Sequence, residues 1–586
     1  MLSNSSAKWH LRLCLISLTL MFFVPLLLAH HRNPIPTFYQ EWLAAAFSLL
    51  ALTFLFCPEV RPRIDLPEIA LLPISLLGIL VLQLFFNRAV NTDRLLLFAL
   101  YLIWATFLII LGRQLVQSAT LGRLSRWLAI ALLCSGLLQC LAAALQIGGT
   151  PGLPWVAPFN GRPAGNLAQG NSFAVCLWLG IASIIYLRAS GWLAWRATLP
   201  ALITLIFFSL LSGSRAVWLY CPAMLLLAGI AYRRNRLDPL LRRLFRCALV
   251  TLLATLLIQL VLSSGLIPLG DFLANTGAAR LAQTGGYDPI RLALWQSALR
   301  IFAEHPFIGG GIGQFTWQFH QHVLQLMPMH LPGLPEHAHN IFMHLLAEMG
   351  LGAVLVLLIF ACRWLIVFWR KIWQPCHWWL AACLLLLAIH SNLEYPLWYS
   401  FFLGPFALLL GAGSGRSLQL SIQRIATPLL AGALILGGLT LVTLFRDYAV
   451  LEETINQGFS AKDRVDFHKK YAERLQKIGK TSLLSPYVYM VAGNLQEDNA
   501  EELENKLTLC HHALRFAATR DIVYKCAHIE ALAGNHAVAL LALRRALAAY
   551  PDHAEIVRKN WQKRAVDEPL LADLLKEFPP TPAPKQ

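Results

Sequence analysis

AEHPFIGGGIGQF (residues 303–315) and LPEHAHNIFMHLLAEMGLG (residues 334–352) lie in and around a long polar segment that separates stretches apolar enough to cross a bilayer. They put a glycine-rich turn, a histidine cluster and a proline-started helix into one water-facing loop. Binding and catalytic groups concentrate on loops held by a rigid scaffold. The loop, and the membrane scaffold it implies, set the reading of the rest of the chain.

Outward from that loop, 57% of the 586 residues are hydrophobic and only 13% are charged, against roughly 25% charged in soluble globular proteins. A bilayer takes about 20 apolar residues to span, and about thirteen stretches approach that length. They centre near Leu20, Leu50, Leu77, Ala105, Leu137, Ile181, Leu205, Leu225, Leu256, Leu357, Leu386, Leu408 and Ile435. The expectation is an all-α, polytopic membrane helical bundle. The first stretch, residues 11–28, has the length of a signal-peptide core. It is followed by His30, His31, Arg32 and Asn33 rather than a small-residue cleavage site, so it reads as a retained span.

The net charge of +17 carries a topological message. With the N-terminus inside, most basic residues before Arg446 fall in inner loops, among them Lys8, Arg12, Arg61, Arg63, Arg113, Arg123, Arg126, Arg188, Arg233, Arg246, Arg363, Arg370 and Lys371. Positive-inside bias accounts for that distribution, and no nucleic-acid partner is expected. An odd number of spans then places the C-terminal tail outside, together with residues 147–171, 212–215, 264–340 and 392–400. In a bacterial inner membrane that outer face is the periplasm.

Composition becomes that of a soluble domain from Arg446 onward. The division expected is a membrane catalytic domain, 1–445, with a large loop at 264–340. A helical domain at 446–577 and a proline-rich, disordered end at 578–586 would follow. Helical periodicity covers residues 500–518, 521–533 and 536–550, the last closed by Pro551. The segment ALAGNHAVALLALRRALAAYP (531–551) resembles half of a tetratricopeptide unit, which needs neighbours to bury its face. It would dock a partner or pack on the rest of the chain. Cys510 and Cys526 fall on adjacent helices there; a disulfide is permitted by the compartment, but not required by the spacing.

Several outer-face groups have chemistry to offer. Pro335 and Glu336 signal a helix start, with Gly350 as its stop. His337 and His339 then lie in or just before the first turn, where the helix dipole favours neutral imidazole and free N–H groups can hold an anion. Such an imidazole can take a proton from a hydroxyl. A metal reading is disfavoured, because two histidines separated by one residue point about 200° apart on a helix and the i,i+4 pair of helical zinc motifs is absent. No metal or cofactor is expected. The glycine run 309–313 lacks a following Lys-Ser/Thr and reads as a tight turn. Arg215, Arg291 and Arg280 break the inside-positive bias, and their guanidinium forks suit phosphate oxygens. Gln169 and Asn171 close an amide-rich loop that could bind sugar hydroxyls or cap a helix. Glu394 and Tyr395 add an acid and a phenol at another helix end.

Together RLALWQSAL (291–299), HPFIGGGIGQF (305–315), HAHN (337–340) and LAEMGLG (346–352) resemble the signature of the superfamily of O-antigen ligases, O-antigen polymerases and O-linked protein oligosaccharyltransferases. HHRNPIPTFYQEWLA (30–44), NGRPAGNLAQGN (160–171) and LEYPLWY (393–399) look like the oligosaccharyltransferase branch (PglL/PilO type). Gly170 departs from the proline that many relatives carry there. The resemblance implies a C-type glycosyltransferase-like membrane fold and metal-independent, inverting transfer of a preassembled glycan. The donor would be an undecaprenyl-pyrophosphate-linked oligosaccharide, with membrane lipid around it. The acceptor would be a serine or threonine of a periplasmic protein, often a pilin. It implies roles for His339 in preference to His337, for Arg215 and Arg291, for Gln169 and for Tyr395. Two other readings are an O-antigen ligase acting on lipid A-core and a flippase for the lipid-linked glycan. The flippase is disfavoured by cleanly apolar spans with charges at one rim. The expectation is that Arg215, Arg291 and His339 gather in one outer pocket.

Overall fold

Apolar runs of this length can satisfy their backbone polar groups in lipid only as helices, and a computed structural model shows helices at almost every position it describes. It describes residues 5–57, 60, 64–88, 91–149, 153–264, 266, 276–284, 289–326, 334–371, 373–418, 423–460 and 474–579. Among these, nine helices are long and apolar enough to cross a membrane: Ser5–Leu27, Phe38–Phe56, Glu68–Phe85, Thr92–Ser118, Leu121–Ile147, Gly170–Ala189, Pro239–Ser263, Ile341–Trp369 and Thr427–Gln457. Shorter apolar helices Trp195–Leu211, Pro375–Ser391 and Ser400–Gly413, with Val217–Arg234, lie at four further expected positions. The chain is an all-α polytopic membrane protein. Among the described residues its sheet is one two-residue ladder, Leu66–Pro67 against Ser417–Leu418.

Packing divides the chain into two units. The first comprises residues 1–75, 101–287 and 356–442. Gly170–Ala189 lies at its centre, 94% of its span buried, packed by Leu121–Ile147, Trp195–Leu211 and Pro375–Ser391. Trp178, Trp378 and Trp379 are fully buried in this core. Ser5–Leu27 contributes Leu15, Leu18, Met21 and Phe22 to it, as a span that belongs to the fold.

The second unit comprises residues 76–100, 288–355 and 443–586. Its tail helices are Ser485–Leu495, Leu503–Phe516, Arg520–Leu532, His536–Ala549, Ala554–Arg564 and Leu571–Leu575. Cys510 and Cys526 are disulfide-bonded, joining two of them. One hydrophobic core runs through the tail and the loop alike: Val523, Ala527, Leu543 and Trp561 cluster with Leu294, Phe315, Phe319 and Ala338. Packing breaks after Val442, near the compositional change at residue 445, but it joins residues 76–100 and 288–355 to the tail, because the tail helices bury their apolar face on the loop helices. Phe578, expected to open the disordered end, packs edge-on against Trp561. Residues 580–586 lie outside the described residues, as do 327–333 with His330, 267–275 and 285–288 of the large loop.

Candidate functional site

In the second unit the histidine segment is an irregular strand of chain ahead of a helix. Pro335 does not open that helix; it begins at Ile341. The true start is set by Asn340, whose Oδ1 accepts from the N–H groups of Phe342 and Met343 at 3.0 and 3.1 Å. Immediately before the cap, His339 has φ 48°, a left-handed conformation that costs a non-glycine residue energy and persists only where its surroundings hold it. The local proline signal loses to this tertiary restraint.

The restraint is visible on the neighbouring residue. Ala338 is fully buried, its carbonyl accepts from Trp295 Nε1 at 3.1 Å, and its N–H donates to His344 Nδ1 at 3.4 Å. Trp295 belongs to the helix Pro289–Glu304, which also carries Arg291, one turn earlier on the same face. The arginine-bearing helix is thus tied to the peptide between His337 and His339. His337 is buried and stands edge-on to His344, ring centroids 5.2 Å apart. Burial, reinforced by the neighbouring His344, His339 and Arg94 side chains, holds its pKa well below the ordinary imidazole value. His337 is a neutral ring, and His339, half-buried, is the more accessible of the pair.

Gly350 stops the helix as expected: with φ 73° it is non-helical, and a second helical segment follows it and runs to Trp369. The glycine turn packs into this break: Gly310 and Gly311 donate to the carbonyls of Ala347 and Glu348 at 2.8 and 3.1 Å, and Leu351 donates to Pro306 at 2.8 Å. Buried Gln83 spans the same place, donating to Ile308 and Glu348 carbonyls at 2.6 Å each and accepting from Ile312 at 3.1 Å. Arg94 donates to the Gly313 carbonyl at 2.6 Å. The run is a turn, as its sequence suggests, and its close backbone contacts explain why glycine recurs.

In the first unit the remaining residues form a second cluster. The turn 212–215 joins Trp195–Leu211 to Val217–Arg234 and carries Arg215. A Cβ on Gly170 would lie 2.7 Å from the Ser212 carbonyl oxygen, and one on Gly277 2.6 Å from that of Ser214. Both glycines let their helices approach this turn. Arg280, on the helix Gly277–Thr284, donates to the Gly213 carbonyl at 3.0 Å. Gln169 caps Gly170–Ala189, its Oε1 accepting from Ser172 N at 3.0 Å. Next to it Asn171 Nδ2 donates to Glu394 Oε1 at 2.6 Å, and Tyr395 lies 5.6 Å from the Tyr399 ring. These contacts bring together the chain segments that carry the sequence-predicted Arg215, Arg280, Gln169, Asn171 and Glu394, with Tyr395 next to Glu394 in the chain.

Asn166, in the same amide-rich loop, has a structural task. Its Nδ2 donates to the carbonyls of Leu27 and Trp155 at 2.7 and 2.9 Å, and its carbonyl lies 2.7 Å from His31 Nε2. Among the described residues no three His, Cys, Asp or Glu side chains come together as a metal-binding group. Sequence reading missed Gln83, Arg94, Trp295, His344 and Glu348. The His344–Glu348 pair carried a signal, since two ionisable residues at i,i+4 in an apolar span call for explanation.

The O-Antigen ligase family profile matches residues 200–358, which include Arg215, Arg280, Arg291 and both candidate histidines. A profile described as Virulence factor membrane-bound polymerase, C-terminal, matches residues 378–564. The chain is 26% identical over 482 residues to the General O-oligosaccharyltransferase of Acinetobacter baylyi (strain ATCC 33305 / BD413 / ADP1), covering 76% of this chain and 80% of that protein. It is also 26% identical over 273 residues to the ComP-specific O-oligosaccharyltransferase of the same organism, covering 45% of this chain and 46% of that one.

Proposed function

Because the chain belongs to the O-antigen ligase superfamily, on the branch of bacterial O-linked protein oligosaccharyltransferases, we propose that it moves a preassembled glycan from undecaprenyl pyrophosphate to a serine or threonine of a periplasmic protein such as a pilin. The observation that carries this reading is His339: a half-buried imidazole in a left-handed backbone at a capped helix start, beside a neutral His337, with the Arg291 helix bonded to the adjoining peptide.

His339 takes the acceptor hydroxyl proton as that oxygen attacks the anomeric carbon. The bond from the anomeric carbon to the phosphate oxygen breaks with inversion, and undecaprenyl pyrophosphate leaves with the electron pair. Arg215, Arg280 and Arg291 neutralise the departing pyrophosphate, the electrostatic term that is usually largest in such reactions. Gln169, Asn171, Glu394 and Tyr395 position sugar or acceptor. No metal ion is required by this scheme. The disulfide Cys510–Cys526 supports placing the tail in an oxidising compartment, the periplasm, and therefore the loop that shares its core.

The test is co-expression with a lipid-linked glycan and a candidate pilin, read by intact-protein mass. A glycan-sized gain on the pilin is expected. Glycan appearing on lipid A-core instead would make the chain an O-antigen ligase. His339→Ala should reach the membrane at wild-type level and lose about 10²–10⁴-fold in transfer rate. Wild-type transfer by that variant would remove His339 as the base.

A further inference from the structure

We propose that Glu348 and His344 are positioning residues: acting through the Ala338 peptide, they hold the chain segment that presents His339. The proposal rests on the reading of His339 as the base. Neither side chain needs to touch donor or acceptor.

His344 and Glu348 lie one turn apart on Ile341–Trp369, and both are buried, at 3% and 2% exposure respectively. Ionisable groups in such a place are costly unless partnered. Glu348 is fully engaged. Its Oε2 accepts from Gly313 N at 2.8 Å, and its Oε1 from Phe315 N at 2.9 Å. His344 Nε2 stands 3.2 Å from Oε2. A carboxylate can only accept, so at this separation it favours the imidazole proton on Nε2, the same tautomer that leaves the Nδ1 lone pair to accept. That lone pair faces the N–H of Ala338. Trp295 holds the carbonyl of the same residue from the opposite side. The residue between the two histidines is therefore clamped at both its backbone groups. His339 follows at once in its left-handed conformation, and Asn340 pins the next position by capping the helix. The base-bearing backbone has no latitude to swing, and the carboxylate at residue 348 sets the tautomer on which the clamp depends.

Glu348→Gln tests this with little change of shape. The new amide nitrogen would donate to His344 Nε2 and drive the imidazole proton to Nδ1, donor facing donor at Ala338. Small misplacements of a catalytic group cost up to about 10²-fold in rate. The expected result is a fall in kcat of about 10- to 100-fold with KM for donor and acceptor changed less than about twofold. The double variant Glu348→Gln/His344→Asn puts a carbonyl oxygen near the Nδ1 position, able to accept from Ala338 whatever stands at 348. It should regain about tenfold or more over Glu348→Gln alone. The bond to Gly313 is lost in both variants, so their difference reads the Ala338 contact. Wild-type kcat in Glu348→Gln, or no gain in the double variant, overturns the proposal. If Glu348→Gln fails to reach the membrane, Trp295→Phe removes the other half of the clamp. It should show the same kcat-selective loss, and an unchanged kcat there also overturns the proposal. Active His339→Ala would sink the base itself, whereas active Glu348→Gln beside inactive His339→Ala sinks only the positioning role.

Discussion

The least replaceable atoms at this site are hydrogens where other residues carry a Cβ. A Cβ on Gly350 would lie 2.5 Å from the Phe307 carbonyl group and 2.7 Å from Gly309 N, and its φ of 73° costs an L-residue about 1–2 kcal/mol before any clash. Gly350→Ala is expected to lower thermal stability and transfer together, by forcing the glycine turn off the helix break that carries Glu348. Gly432→Ala is the matched control, since nothing lies within 4 Å of its Cβ position. A thermal shift assay on detergent-solubilised protein should separate the two, and equal behaviour would mean the turn is not packed as described. The sequence showed that this turn needs glycine but not why. Gly309, Gly311 and Gly313 read as a bend, whereas the backbones of Glu348 and Arg88 and the side chain of Arg94 that crowd them in turn come from distant chain. His339 was legible from its residue type and place, but its left-handed backbone was not, because Trp295 and His344 impose it from outside the local pattern.

Among the elements, spans and tail helices were legible because period and apolar length suffice to specify them. Residues 503–516, 520–532 and 536–549 are helical, within a residue or a few of the ranges their periodicity indicates. The start at Ile341 was not legible, because a proline and an acid give the same local signal whether or not tertiary bonds hold Ala338 extended. The short helix Phe315–His322 carries a consequence for pH. His320 is buried on it, and burial with Arg545 nearby pushes its pKa down to about 4. The native ring stays neutral while the unfolded chain takes up a proton below about pH 6.5. Stability from this group is therefore complete above that pH and is lost as pH falls toward 4, to the extent of roughly 3 kcal/mol. Asp498, held near about 2 by His528 and Arg564 against the effect of burial, acts in a separate window. Its contribution persists until pH drops below the ordinary carboxylate value. Limited proteolysis of the purified protein between pH 7.5 and 4.5 should show protection of the second unit declining with acidity. His320→Gln should flatten that decline, and an unchanged slope would remove His320 as its source.

For the molecule as a whole, composition marks a boundary near residue 445, close to the packing break after Val442, but it distinguishes lipid-facing from water-facing chain and is blind to which water-facing helices share a core. Val523, Leu543 and Trp561 of the tail cluster with Leu294, Phe315 and Ala338 of the loop. Tyr550 fastens the two further: its hydroxyl accepts from Leu334 N at 3.1 Å and donates to the Ala518 carbonyl at 2.8 Å. Each large apolar side chain so buried contributes about 1.5–3 kcal/mol, so removing the tail strips the loop helices of much of what orders them. Ending the chain at residue 460 is therefore expected to abolish transfer to a pilin and to a short serine peptide supplied in excess. It should also render residues 289–326 protease-sensitive in right-side-out vesicles, with inverted vesicles as the shielded control. A tail that only recruited the acceptor protein would behave differently: peptide glycosylation would survive truncation, and the loop would stay protected. Loss of both acceptors with loss of protection is the signature of a tail that completes the fold around His339, because the segment that holds Ala338 in place is then left without half of its core.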